Sequence, residues 1–301
     1  MFIVKNRKIF YAFSILMIAL SFASVWKWGL NFGIDFTGGS VIEVSYADGI
    51  QASTTPSATV IRENLINAGI GESVIRQIGD QGYIIRTPHL DDAQRKEVVG
   101  LLGGEIKKLD SVGPVLGREL QGKAAWSIGL VLLAIVLFIT FTFRKVSRPV
   151  ASWKYGSVAI IALLHDVIVP IGLFAFLGRA GGFEIDALFI TALLVILGFS
   201  IHDTIVVFDR TRENLSLPEN SKKGFDQIVG ESLVQTVSRS INTTLTTVLA
   251  LLALYFFGPE TTRNFSLALI AGIGVGVYSS VFIASPLLVT LEQMQAKKAS
   301  K

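Results

Sequence analysis

Six stretches of this chain are long and apolar enough to cross a membrane as helices: residues 9–26, 124–143, 155–178, 187–208, 240–259 and 264–291. A hydrocarbon core about 30 Å thick takes about 20 residues at 1.5 Å each. Within it every backbone N–H and C=O must be bonded inside its own segment, which selects helices. Composition agrees, since 51% of the 301 residues are hydrophobic and 17% are charged, whereas a soluble domain carries about 25% charged residues. The chain has no cysteine, so disulfides and thiolate metal sites are excluded while the compartment stays open.

The distribution of charge says more than its net value of +4. Fifteen basic residues fall on one side of the six spans: Lys5, Arg7 and Lys8; Arg144, Lys145, Arg148 and Lys154; Arg210, Arg212, Lys222, Lys223 and Arg239; Lys297, Lys298 and Lys301. The two short loops opposite hold only Arg179 and Arg263. The positive-inside bias puts both termini in the cytoplasm. The first apolar run, 18 residues long, exceeds the 7–15 of a cleaved leader and reads as an uncleaved anchor.

The chain divides into residues 1–30 (N-terminus and first span), 31–122 and 123–301 (five further spans and a C-terminal tail). The middle segment reads as a domain outside the membrane. Residues 40–46 alternate as a strand, 54–68 read as a helix, and 74–78 with 82–87 form a hairpin around Gly79-Asp80-Gln81-Gly82. Residues 91–108 make a second helix with Asp91 and Asp92 at its positive end, and 111–116 a last strand. The order β-α-β-β-α-β is that of a ferredoxin-like unit. The fold class expected is therefore a membrane all-α bundle of six transmembrane helices. One α+β ferredoxin-like extracytoplasmic domain lies between helices 1 and 2. His89 beside Pro88 reads as a solvated loop residue.

Two spans carry carboxylates. Asp203 lies five residues before Phe208, about 8 Å inside the cytoplasmic end of span four. A carboxylate in hydrocarbon costs roughly 3 kcal/mol on insertion scales, so it needs a partner, water or a function. Span five runs the other way, with Arg239 at its cytoplasmic start, so the two can meet at similar depth. Asn242, Thr243 and Thr246 continue one helical face from Arg239, and Ser200 shares a face with Asp203. Such polar faces suit the lining of a wet path. The plainer reading is a static pair, or an arginine that snorkels to the interface. In span three, His165 and Asp166 point about 100° apart and are not expected to share a partner. His165 reads as an interhelical donor, and Asp166 as either a proton relay or a packing carboxylate. His202 is given no role.

Residues 33–40, Gly-Ile-Asp-Phe-Thr-Gly-Gly-Ser, join span one to the first strand. Gly33, Gly38 and Gly39 permit turns other residues resist, and Asp35 can bond nearby amides. No P-loop Lys-Ser/Thr follows, which argues against phosphate binding. Gly272, Gly276 and Ser280 recur at four-residue spacing in span six, with Gly274 nearby. They suit close helix packing, or a surface on which helices slide. Residues 210–238 read as a polar loop that becomes an interfacial helix from Gly224. The glycosylation-like matches at Asn214, Asn242 and Asn264 fall inside the cell or membrane and carry no meaning.

The GIDFTGGS string resembles the opening signature of the SecD/SecF family of protein-export membrane subunits, within the RND superfamily. The resemblance continues through residues 112–120 (Gly113, Pro114 and Gly117 among them), His165-Asp166-Val167, residues 200–214 and residues 238–244. It implies a SecF-type subunit that works with SecD and the SecYEG channel to assist export of unfolded preprotein, with YajC and YidC as further partners. It implies use of the proton-motive force, with protons (in some relatives sodium) as coupling ion and no other cofactor. It places Asp203 and Arg239 in proton-coupled motion, with Asp166 as a third candidate. No enzyme chemistry, metal or nucleic acid is implied. Two other readings are a half-sized exporter of lipid or small molecules, for which 90 residues leave little room, and a purely structural subunit. An intramembrane protease built on Ser200, His165 and Asp166 lacks a nucleophile elbow.

Overall fold

The computed structural model describes residues 2–46, 55–79, 81–143 and 152–299. Thr54 and Asp80, together with the basic Arg144, Lys145, Arg148 and Lys301, lie outside the described residues. Two units can be separated: Phe32–Ala125, and the chain before and after it.

The inserted unit contains β1 (Gly39–Ser45), β2 (Val74–Ile78), β3 (Gly82–Thr87) and β4 (Glu105–Val112) in one sheet of order β2-β3-β1-β4. Every neighbouring pair is antiparallel. Alternation along β1 turns Ile42 and Val44 inward, and β3 does the same with Tyr83 and Ile85. They meet Ile61 and Leu65 of one helix (Ala58–Asn67) and Val98 and Leu102 of another (Asp92–Leu102), pairs set four residues apart. That spacing gives each helix one apolar stripe for the sheet. The first helix is capped by Ser57, whose Oγ accepts from the Val60 N–H, and the second by a reciprocal capping box between Asp91 and Gln94. The Tyr46 hydroxyl closes the core by donating to the Leu102 carbonyl at 2.9 Å.

Three elements of this unit differ in their bounds from the sequence reading by more than one residue: the first helix starts at Ala58, after its Ser57 cap, and the last helix and strand are displaced. The second helix stops at Leu102 rather than running to 108, because Gly103 takes the left-handed conformation (φ +62°) that ends helices. The last strand starts correspondingly early, at Glu105, and ends at Val112 rather than 116. Pro114 begins a new helix instead, its fixed φ suited to a first turn.

A short helix, Ile34–Thr37, precedes β1, with Asp35 in its first turn and its amides at Phe36 and Thr37 donating to the Gly33 carbonyl. Gly38 and Gly39 follow at φ +74° and +131°. A Cβ on Gly38 would sit 2.9 Å from Pro114 Cα, one on Gly39 2.9 Å from the Thr87 carbonyl oxygen, and one on Gly117 3.0 Å from Gly38 N. The Gly117 N–H donates to the Gly113 carbonyl at 3.0 Å. The two glycine-bearing motifs, remote in sequence, are thus packed backbone to backbone.

We number the helices in chain order: α1 Phe2–Lys5, α2 Arg7–Trp28, α3 Ile34–Thr37, α4 Ala58–Asn67, α5 Asp92–Leu102, α6 Pro114–Thr142, α7 Ser152–Gly181, α8 Ala187–Ser216, α9 Phe225–Phe257, α10 Glu260–Ser279 and α11 Ser285–Ala299. A π-helical turn, Ser280–Ala284, links α10 to α11, so that Glu260–Gln295 forms the last of the six helices long and apolar enough to cross a membrane among the described residues. The protein is a multi-pass membrane protein with a small antiparallel β domain.

α8 and α9 have 30 and 33 residues, about 45–50 Å of helix. Both therefore outrun a bilayer core. Residues 210–216 remain helical, and α9 is continuous from Phe225. The separate interfacial helix expected from Gly224 is the first part of α9 itself. Phe225, Ile228, Val229 and Leu233 are buried along that stretch, which keeps it packed rather than lying flat on lipid. The connection is pinned by Asn214 Nδ2, donating to Ser232 Oγ at 2.8 Å, and by Asn220 Nδ2, donating to the Asn214 carbonyl at 2.9 Å.

Gly39→Val should destabilise the protein by about 1–3 kcal/mol, the scale of a strained backbone. Gly100→Ala lies in α5 with open space around it and should stabilise by about 0.5–1 kcal/mol. Denaturant unfolding of the purified protein measures both.

Candidate functional site

Small residues set the spacing of the central helices. A Cβ on Gly272 of α10 would fall 2.0 Å from Ile196 Cδ1, and one on Gly276 would fall 2.9 Å from Ser200 Cβ. The glycine stripe of span six is therefore where α10 packs on α8. Gly274 has open space around it and takes no part. The absence of a side chain at Gly276 is what lets Ser200 approach and reach the carboxylate of α7.

That carboxylate is Asp166, fully buried. Its Oδ2 accepts from Ser200 Oγ at 2.5 Å and from Ser279 Oγ at 2.7 Å, while Oδ1 lies 3.1 Å from His165 Nδ1. Asp166 thus joins α7, α8 and α10. Adjacent to it, Ser280 Oγ donates to the Ser200 carbonyl at 3.1 Å and lies 2.8 Å from Thr204 Oγ1. Ser280 opens the π turn, a feature often found where a helix does more than span. His165 and Asp166 are bonded to each other and share no third hydrogen-bond partner, so the hydrogen bond of His165 stays within α7 instead of crossing to another helix as expected. The side chains bend together although their Cα–Cβ bonds diverge. His165 Nε2 is buried without a hydrogen-bond partner.

Asp203 is the second buried carboxylate, 4% exposed. Its Oδ1 accepts from Ser240 Oγ of α9 at 3.0 Å, and its Oδ2 has no hydrogen-bond partner. A buried carboxylate oxygen left open calls for a proton of its own, a water or a cation. No ion pair joins Asp203 to a basic side chain among the described residues. Arg239 is exposed and stands one residue from Ser240 on the helix adjoining α8. The structure therefore places acid and base on neighbouring helices, and Ser240, the residue after Arg239, holds the hydroxyl bonded to the acid. Asn242, Thr243 and Thr246 are exposed and do not line a path to Asp203. Of the polar lining expected, Ser200 alone is buried, and it serves Asp166.

Comparison with known proteins bears on all of this. Residues 95–294 match the family "Protein export membrane protein SecD/SecF, C-terminal", and residues 29–49 match the "SecD/SecF GG Motif". The chain belongs to the SecD/SecF family. It is 42% identical to the protein translocase subunit SecF of Thermobaculum terrenum, covering 96% of this chain and 93% of that one. It is 38% identical to the SecF of Anaerolinea thermophila over 96% and 94%. The crystal structure of SecDF, a translocon-associated membrane protein from Thermus thermophilus, superposes with a TM-score of 0.79 at 33% identity. That match covers 96% of this chain but 38% of the SecDF chain. The residues 29–49 that match the GG motif contain Gly33, Asp35, Gly38 and Gly39, the turn packed on Pro114 and Gly117.

Sequence reasoning gave no role to Ser240, Ser279 or Thr204 and read Ser280 only as a small packing residue. A signal for Ser240 was present: Ser232, Thr236, Ser240 and Thr244 recur at four-residue intervals, and the first three are buried. The stripe chosen from sequence began one residue earlier, at Arg239, and so followed the wrong face of α9.

Gly276→Leu should drive α10 off α8 and part Ser200 from Asp166, lowering stability by about 1–3 kcal/mol. Ser279→Ala removes one of the bonds to Asp166 and should cost about 1 kcal/mol. Thermal melting of the detergent-purified protein ranks the two.

Proposed function

We propose that this chain is a SecF-type subunit of the Sec preprotein translocase. With a SecD partner it uses the proton-motive force to assist export of unfolded preprotein across the bacterial cytoplasmic membrane. In this reading both termini are cytoplasmic and the β-containing unit is extracytoplasmic and ferredoxin-like. SecYEG is the channel served, with YajC and YidC as further associates. The SecF names of the relatives and the SecDF neighbour support the subunit assignment. The sheet order β2-β3-β1-β4 supports the ferredoxin-like assignment, since each β-α-β half leaves a gap that the other half's strand fills.

The observation that carries the coupling is Asp203, buried inside an apolar span with one of its two oxygens unpartnered. Such a group can take and release a proton if its surroundings alternate between a neutral donor and a cation. Arg239 supplies the cation, one residue from the present donor. Asp166, with three hydrogen bonds on three helices, transmits a shift of α8 to α7 and α10. One charge moved across 100 mV yields about 2.3 kcal/mol, so a few protons per cycle offset a moderate conformational cost. The chain forms and breaks no covalent bond in its substrate. The coupling ion is the proton, sodium being the alternative.

Asp203→Asn keeps the shape and removes the titrating group. It should abolish gradient-dependent stimulation of export while complex assembly, followed by co-purification with the SecD partner, stays normal. Unchanged export would reduce the chain to a structural subunit.

A further inference from the structure

We propose that Ser240 is a positioning residue for Asp203, and that Ser240 and Arg239 are alternative partners between which a turn of α9 switches that carboxylate. The inference rests on the proton-coupling reading above and adds how the switch is built. Serine and threonine within helices commonly bond a carbonyl of their own preceding turn. Ser232 and Thr236 do so, donating to the Ile228 and Ser232 carbonyls at 2.8 Å each. Ser240, next on the same buried stripe and 1% exposed, instead donates across to Asp203 of α8. Its hydroxyl is committed to Asp203.

Arg239 follows from the geometry of the helix. Successive residues are set about 100° apart, so a rotation of α9 by roughly that angle withdraws the Ser240 hydroxyl and presents the guanidinium. In the arrangement seen, Asp203 has a neutral donor on one oxygen and none on the other, which suits a carboxyl that carries a proton. In the rotated arrangement a cation faces it, which suits a carboxylate. The other groups around Asp203 do not compete for this role. His202, the neighbour of Asp203 on α8, is exposed and acts on it by charge alone, with no hydrogen bond between them among the described residues. His165 and Asp166 on α7 are tied to each other and to Ser200. From α10 and the π turn, Ser279 and Ser280 are hydroxyls already bonded to Asp166, Thr204 and the Ser200 carbonyl.

The test is made in the complete export complex, with Ser240→Ala, Ser240→Thr and Ser240→Cys, each also combined with Asp203→Asn. Gradient-dependent export is measured across a pH series, and the amount of assembled complex is followed alongside. Ser240→Ala should lower export several-fold and displace its pH profile, because a donor has been taken from the titrating group. Ser240→Thr should restore both, and Ser240→Ala should add nothing to Asp203→Asn. If Ser240→Ala accumulates poorly, Ser240→Cys, close in volume and a weak donor, carries the comparison. A pH profile that does not move, or a loss that adds to that of Asp203→Asn, overturns the role of Ser240 while leaving the wider reading intact. Full activity of Asp203→Asn overturns both.

Discussion

A carboxylate held away from water is the constraint around which the central helices are arranged. Asp166 and Asp203 both lie inside apolar spans, and each must be given donors by helices that otherwise offer only hydrocarbon. The chain meets that need with hydroxyls. Ser200, Ser279 and Ser240 come from three different helices and each reaches a carboxylate, Ser200 where Gly276 lets α8 and α10 approach. A side chain at Gly276 would meet Ser200 and push it from Asp166.

The two sites differ in how completely they are satisfied. Asp166 accepts three hydrogen bonds and clamps α7, α8 and α10. Asp203 accepts one and leaves an oxygen open at the interface of α8 and α9. A saturated site resists change, because every movement costs a bond. An unsaturated one can exchange partners at little cost. In the proposed function this difference makes Asp166 the clamp and Asp203 the group that exchanges partners across the α8–α9 interface. At the α8–α9 connection, the Asn214–Ser232 bond and the Asn220 anchor tie the two helices together.

Much of this was legible in the sequence, for identifiable reasons. Apolar runs of about 20 residues leave few alternatives to a span, and a carboxylate within one cannot be read as a surface charge. The hairpin of β2 and β3 was found to the residue because glycine bounded it. The end of α5 and the extent of β4 were misjudged because Gly103 and Pro114 outweigh the helical and extended patterns that run past them. The buried face of α9 was misjudged for a subtler reason: Arg239 carries the charge opposite to a carboxylate, but the buried stripe is set by residue size. Ser232, Thr236 and Ser240 are small enough to lie against α8, whereas an arginine turns outward. Which face of a membrane helix is buried depends on the neighbouring helix, and local spacing does not carry that information.

The account turns on Asp203 gaining and losing a proton. Infrared difference spectra of the lipid-embedded complex, taken as the pH is stepped, read that event directly. A carboxylic-acid carbonyl band that rises on acidification and is missing in Asp203→Asn is the result the account predicts. A spectrum indifferent to Asp203→Asn, with every titrating band still in place, would contradict it.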